Sequence, residues 1–153
     1  MMRTAAGLRP PTYPWQRQRF DIALTGEASV AIRTDAVEHP LLGWRERAEQ
    51  MEWCLHLDRD TVPMLADHVV GGEPLMPGAA FVEMALAAGG IALGAPADVH
   101  DLDILAPLVL PADHMREVRT RVTMATQDIE IASRRRLSEE PWQVHVRGRF
   151  AAA

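Results

Sequence analysis

Two side chains stand out for their chemistry: His68, which sits in a polar turn, and Glu83, the only charged residue between Pro74 and Ala97. An imidazole has an ordinary pKa of about 6.5, so it gains and loses a proton near neutrality and suits general acid–base work. His68 precedes the pair Gly71-Gly72, which lets backbone approach a ligand closely, and Pro77 follows. A surface or capping role is the plain alternative for a histidine so placed. A carboxylate in an apolar run is costly, since even a neutral polar group left unpaired costs about 2 to 7 kcal/mol. Glu83 therefore reads as a hydrogen-bonded structural acid, as one that reaches the rim of a sheet, or as an acid in a reaction.

The elements that must position these groups follow from periodicity. Pro77 suits the first turn of a helix, where its fixed φ fits and its missing N–H is no loss. A helix is predicted over residues 77–93, with Gly89, Gly90, Gly94 and Pro96 ending helical structure. Its residues are apolar nearly all round, which predicts burial on most sides. The run is interrupted by Glu83 and rich in glycine, unlike a membrane span of about 20 mostly apolar residues.

Met51, Trp53, Leu55 and Leu57 alternate with polar residues and predict a strand with one buried face. Further strands are predicted at Leu102–Leu110, bent or bordered at Pro107, at Val118–Met124, around Ile129 and Ile131, and at Trp142–Phe150. Phe20–Leu24 and Val30–Ile32 suggest a hairpin. Strands before and after one long helix argue for an α+β fold in which an antiparallel sheet wraps that helix.

His68, Gly72 and Pro77 together spell HxxxGxxxxP, and LADHVVGGEPLMPGAAFVEMALAA around them resembles the first active-site motif of the dehydratase domains of modular type I polyketide synthases. HPLLG at His39–Gly43, DLDILAPLVLP at Asp101–Pro111, SRRR at Ser133–Arg136 and WQVHVRGRF near the end agree in order. PTYPWQRQRF resembles the end of the linker that follows the acyltransferase domain. The resemblance implies a linker over residues 1–19 and, over 20–153, a single hotdog that is the N-terminal half of a double hotdog.

It also implies an activity: loss of water from a β-hydroxyacyl thioester held on the phosphopantetheine of an acyl carrier protein, with His68 removing the α-proton. No metal and no cofactor of the chain's own is implied. Backbone N–H groups near Gly72 and from Pro77 and Gly78 to Ala79 would meet the thioester oxygen, although Pro77 itself cannot donate. In the double-hotdog family the acid is an aspartate of the second half, in a DxxxQ or DxxxH motif. Here the only DxxxH match, Asp35 to His39, precedes the first motif and overlaps HPLLG, so it reads as chance. In single-hotdog dehydratases a glutamate placed like Glu83 is the acid, in a homodimer. Three readings follow: half of a dehydratase, a self-sufficient homodimer using Glu83, or a noncatalytic hotdog that binds an acyl thioester or serves as a structural half. The expected partners are the carrier protein, the second hotdog, neighbouring synthase domains and, for an isolated half, a second copy.

Composition narrows the field. A chain of 153 residues suits one domain, and 48% apolar content argues against disorder. The net charge of −5 disfavours nucleic acid as a partner. Cys54 is the only cysteine, so neither an intrachain disulfide nor a cysteine-based zinc site is expected, and a reducing, cytoplasmic setting fits. His100, Asp101, Asp103, Asp113 and His114 lack compact metal-ligand spacing. His56 and His145 fall on polar strand faces and are expected to be solvated. Arg134–Arg136 form a charged strand end that would attract an acidic carrier protein.

Overall fold

The computed structural model describes residues 37–45, 49–60 and 62–153. The expected linker, the hairpin at 20–32 and Asp35 lie outside them. The described elements are β1 (Trp44–Arg45), β2 (Glu52–Leu57), α1 (Pro63–Ala66), β3 (Val69–Val70), β4 (Glu73–Pro74), α2 (Gly78–Leu93), β5 (Ala97–Ile104), β6 (Arg116–Thr123), β7 (Asp128–Arg135) and β8 (Gln143–Ala152). Six strands form one sheet in the order β1-β2-β6-β7-β8-β5, and β3 and β4 form a small separate hairpin. Every pairing is antiparallel.

Alternation sorts the two faces of the sheet. Val118 and Val122 of β6 lie on the same face as their neighbours Ile129 and Ile131 of β7, and these join Trp53, Leu55 and Leu57 of β2 in the core. Phe81, Met84, Ala85 and Ala88 of α2 pack into that core. Burying each large apolar side chain contributes about 1.5 to 3 kcal/mol. One long helix lying on one antiparallel sheet is the expected α+β hotdog.

Three expectations need correction. First, α2 is not buried on most sides: Gly78, Ala79, Val82, Glu83 and Leu86 are exposed. They recur at spacings of three and four and so form one stripe. Apolar composition all round did not imply cover all round, because a single sheet covers only one side of a helix. Gly89 and Gly90 also lie inside α2 rather than at its end, which comes at Gly94 with a left-handed φ of 65°. Second, the strand expected at Leu102–Leu110 is β5, which begins at Ala97 and stops at Ile104. It is a sheet edge with mixed exposure, so its first residues carry little apolar signal. The next N–H groups, of Leu105 and Ala106, turn to the carbonyl of His145.

Third, His145 is buried, not solvated. Pairing of β7 with β8 shifts register between Ile131, opposite Val146, and Ala132, opposite Val144. His145 is the extra residue of this bulge, and a bulge re-aims a side chain against simple alternation.

Candidate active site

Residues 68–76 are built around a two-residue turn. Gly71 and Gly72 have φ of 63° and 89°, as the tight turn between β3 and β4 requires and as glycine alone adopts at little cost. The turn returns the chain so that Leu75 donates its N–H to the carbonyl of His68 at 2.9 Å. The carbonyl of Leu75 in turn lies 2.9 Å from Nδ1 of His68. A carbonyl only accepts, so Nδ1 carries the proton, and in the neutral ring Nε2 is the free base. The imidazole is exposed.

The returning strand is anchored from behind. Met76 N–H bonds the carbonyl of Leu108 at 2.9 Å, Leu110 N–H bonds that of Pro74 at 2.9 Å, and Leu75 bridges Val109. Three residues past Leu75 the chain enters α2. Pro77 is its N-cap, with ψ of 149°, no side chain caps the end, and the first turn holds no acid. Gly78 and Ala79 are exposed there, so their N–H groups and the positive end of a 16-residue helix face outward. Beside them lies an apolar cavity of about 330 Å³, lined by Met76, Gly78, Phe81 and residues 104–107.

A buried polar chain supports this cavity. His145 Nδ1 is 3.2 Å from the carbonyl of Ala106 and Nε2 is 2.7 Å from the hydroxyl of Ser133. Arg116 donates to that hydroxyl oxygen at 2.7 Å. The directions agree: Arg116 gives to Ser133, Ser133 to His145, and His145 to Ala106, a sequence that polarises each bond. The ring also stacks on Phe81, with centroids 6.4 Å apart. Burial pushes the pKa of His145 down, against the Ala106 carbonyl that favours the proton and with help from the charge of Arg116.

Glu83 is neither buried nor bonded to His68 among the described residues. Its side chain is 56% exposed and its Oε1 lies 3.2 Å from Nε2 of His39. Nδ1 of His39 accepts the N–H of Leu41 at 3.2 Å, so the proton sits on Nε2 and is donated to Glu83. The turn that carries His39 is tight. Gly43 has φ of 80°, and a Cβ there would lie 2.1 Å from the carbonyl oxygen of Cys54, so only glycine fits. Sequence reading set aside His39 as part of a chance match and missed this contact. HPLLG was the available signal.

Residues 39–136 match the family described as "Polyketide synthase dehydratase domain". The chain belongs to the polyketide synthase dehydratase domain family. It is 40% identical over 158 aligned residues to the spectinabilin polyketide synthase system protein NorA' of Streptomyces orinoci, an alignment covering 95% of this chain and 4% of that one. Among solved structures it resembles one described under dehydratase substrate selection for the borrelidin and fluvirucin polyketide synthases, with a TM-score of 0.63, 31% identity, and 78% of this chain and 44% of that one covered. It also resembles the dehydratase domain from the terminal module of the rifamycin polyketide synthase, with a TM-score of 0.64, 27% identity, and 81% and 46% covered. This dehydratase chain therefore spans less than half of each of those structures and a small fraction of the synthase protein, and its hotdog is the N-terminal one. No helix among the described residues is long and apolar enough to cross a membrane.

Proposed function

We propose that this hotdog supplies the base for loss of water from a β-hydroxyacyl thioester delivered on the phosphopantetheine arm of an acyl carrier protein. The observation that carries the reading is the bond from Nδ1 of His68 to the carbonyl of Leu75, which leaves Nε2 as acceptor on an exposed ring. Nε2 takes the proton from the α-carbon. The electron pair left behind forms the α,β double bond as the β-hydroxyl departs with a proton from an acid, giving an enoyl thioester and water. The N–H groups of Gly78 and Ala79 meet the charge that develops on the thioester oxygen, and the helix dipole adds to them. Gly72 builds the turn and Pro77 the N-cap that bring these parts together. The apolar cavity beside Gly78 suits an acyl chain.

The acid comes from a second hotdog. Glu83 is already engaged as a strut between α2 and the His39 turn, which favours a structural role over that of an acid in a homodimer. A second hotdog also accounts for the exposed stripe on α2 and for the edge strand β5, whose last residue, Ile104, and the following Leu105 are 54% and 56% exposed. Residues 1–19 fit a linker from a preceding domain.

The test is turnover of a β-hydroxyacyl thioester by the dehydratase with its second half present. His68→Ala should lower the rate roughly 100- to 10,000-fold with unchanged melting. A folded His68→Ala variant with near-normal turnover would exclude the role. This chain alone should show no appreciable turnover and should self-associate in sedimentation. Robust activity of the unaided chain that vanishes in Glu83→Gln would establish the homodimeric arrangement instead.

A further inference from the structure

On the face of the sheet turned away from α2, β2 and β6 set three kinds of metal donor side by side. Cys54 and His56 are two residues apart on β2 and so share a face, and Glu117 of β6 is the cross-strand partner of His56. One ligand atom from each lies within 4.8 Å of the other two. The cluster is sheltered: Cys54 is buried and the other two are half-buried. A cavity of about 210 Å³ opens over Cys54 and Glu117.

We propose that Cys54, His56 and Glu117 form a binding site for one zinc ion, with water as the fourth ligand. One sulfur, one nitrogen and one oxygen donor suit a borderline-soft cation that takes four tetrahedral ligands. Zinc–ligand distances of about 2.0 to 2.3 Å require the donors to draw in by roughly 1 Å, which the side chains of two neighbouring strands allow. Glu117 is already divided between two tasks. Its Oε1 lies 3.7 Å from Cys54 Sγ, while its Oε2 accepts from Arg134 at 2.8 Å. A ligating carboxylate held by an outer partner is a common feature of metal sites.

Two cations border the site, and Arg134 keeps its bond to Glu117 Oε2. Arg119 and Arg134 both lie over the ring of Trp142, 4.3 and 4.6 Å from its centroid. Binding forms a zinc–sulfur bond and releases the thiol proton of Cys54 to solvent, so affinity rises with pH. A lone cysteine offered no zinc site by sequence spacing; His56 shares its strand face two residues on, and sheet register supplies the third donor, Glu117. The ion would brace β2 against β6, on the opposite face of the sheet from the dehydration chemistry.

Titration of the chelator-stripped 153-residue chain with Co(II), then Zn(II), tests the site. The expected result is a thiolate-to-cobalt charge-transfer absorption that saturates at one equivalent and disappears as zinc displaces cobalt. Cys54→Ser should lose the band. Outer partners of a metal ligand are already worth roughly 10- to 100-fold in affinity, so His56→Ala and Glu117→Gln should each weaken zinc binding at least about 10-fold. His114→Ala, beside Asp113, should change nothing. Zinc should raise the melting temperature of the parent chain, because it binds the native state, and not that of Cys54→Ser. A cobalt complex of the parent chain without the charge-transfer band would overturn the proposal whether or not any variant folds. Unchanged zinc affinity in Cys54→Ser would do so as well.

Discussion

At its C-terminal end α2 is clamped: Ala88 and Gly89 are buried, and a Cβ on Gly89 would lie 3.2 Å from side-chain atoms of both Ala97 and Phe150. At its N-terminal end Gly78 and Ala79 are exposed, and a Cβ on Gly78 would meet only the tip of Ile104 at 3.4 Å. One helix, of near-uniform apolar composition, is thus a packing element at one end and an open edge at the other. The chemistry we propose sits at the open end. Packed interiors hold groups in one place but leave no room for a substrate, whereas helix N–H groups are available only where a terminus faces outward. The closed end keeps α2 fixed on the sheet so that the open end can be placed.

Substitutions at the two ends should separate these roles. The largest effect is expected for Gly89→Val, where branched bulk enters a contact already tight between α2, β5 and β8. A loss at the upper end of about 1 to 3 kcal/mol is expected, read as a lowered midpoint in denaturant. Unchanged stability would mean that the helix is free to lift from the sheet. His145→Leu removes the middle member of a buried chain, leaving the Ala106 carbonyl without its donor and the Ser133 O–H without its acceptor while Arg116 still donates to the Ser133 oxygen, for about 1 to 3 kcal/mol.

The pH dependence of His145 carries a definite sign. Its pKa is lowered by burial, so the unfolded chain binds this proton at a higher pH than the folded chain does. Stability from this residue is therefore complete above about pH 6.5 and declines as pH falls from there toward the depressed folded value. Thermal melts of the parent chain and of His145→Leu across that window should differ in slope; parallel curves would contradict a neutral buried ring.

The smallest effects belong to the open end. Gly78→Ala keeps its N–H and meets little, and Glu83→Gln keeps a hydrogen-bond acceptor for His39. Both should stay within about 0.5 kcal/mol of the parent in melting. A large loss in Glu83→Gln would show that the hydrogen bond from His39 is worth more than an exposed contact should be.

Local pattern made much of this protein legible. HxxxGxxxxP singled out the histidine through its resemblance to a family motif, and it marked the turn and the helix start because the residue types there answer local needs: a backbone at positive φ and a helix end without a donor. Period-two alternation located β2, β6, β7 and the body of β8, because each has one wet and one dry face. Alternation failed at His145, since the bulge that turns it inward depends on how β8 pairs with β7, and it was faint in β5, a sheet edge.

By itself, then, the sequence determined the central helix, most of the strands and the candidate base, all of which rest on interactions between residues close in the chain. Tertiary structure alone decided that Glu83 faces outward and meets His39, that His145 joins Arg116 and Ser133 beneath the cavity, and that Cys54 and His56 stand beside Glu117. Each of these depends on strand register or on which side of a helix the sheet covers. Those choices are made by long-range packing, and no local run of residues records them.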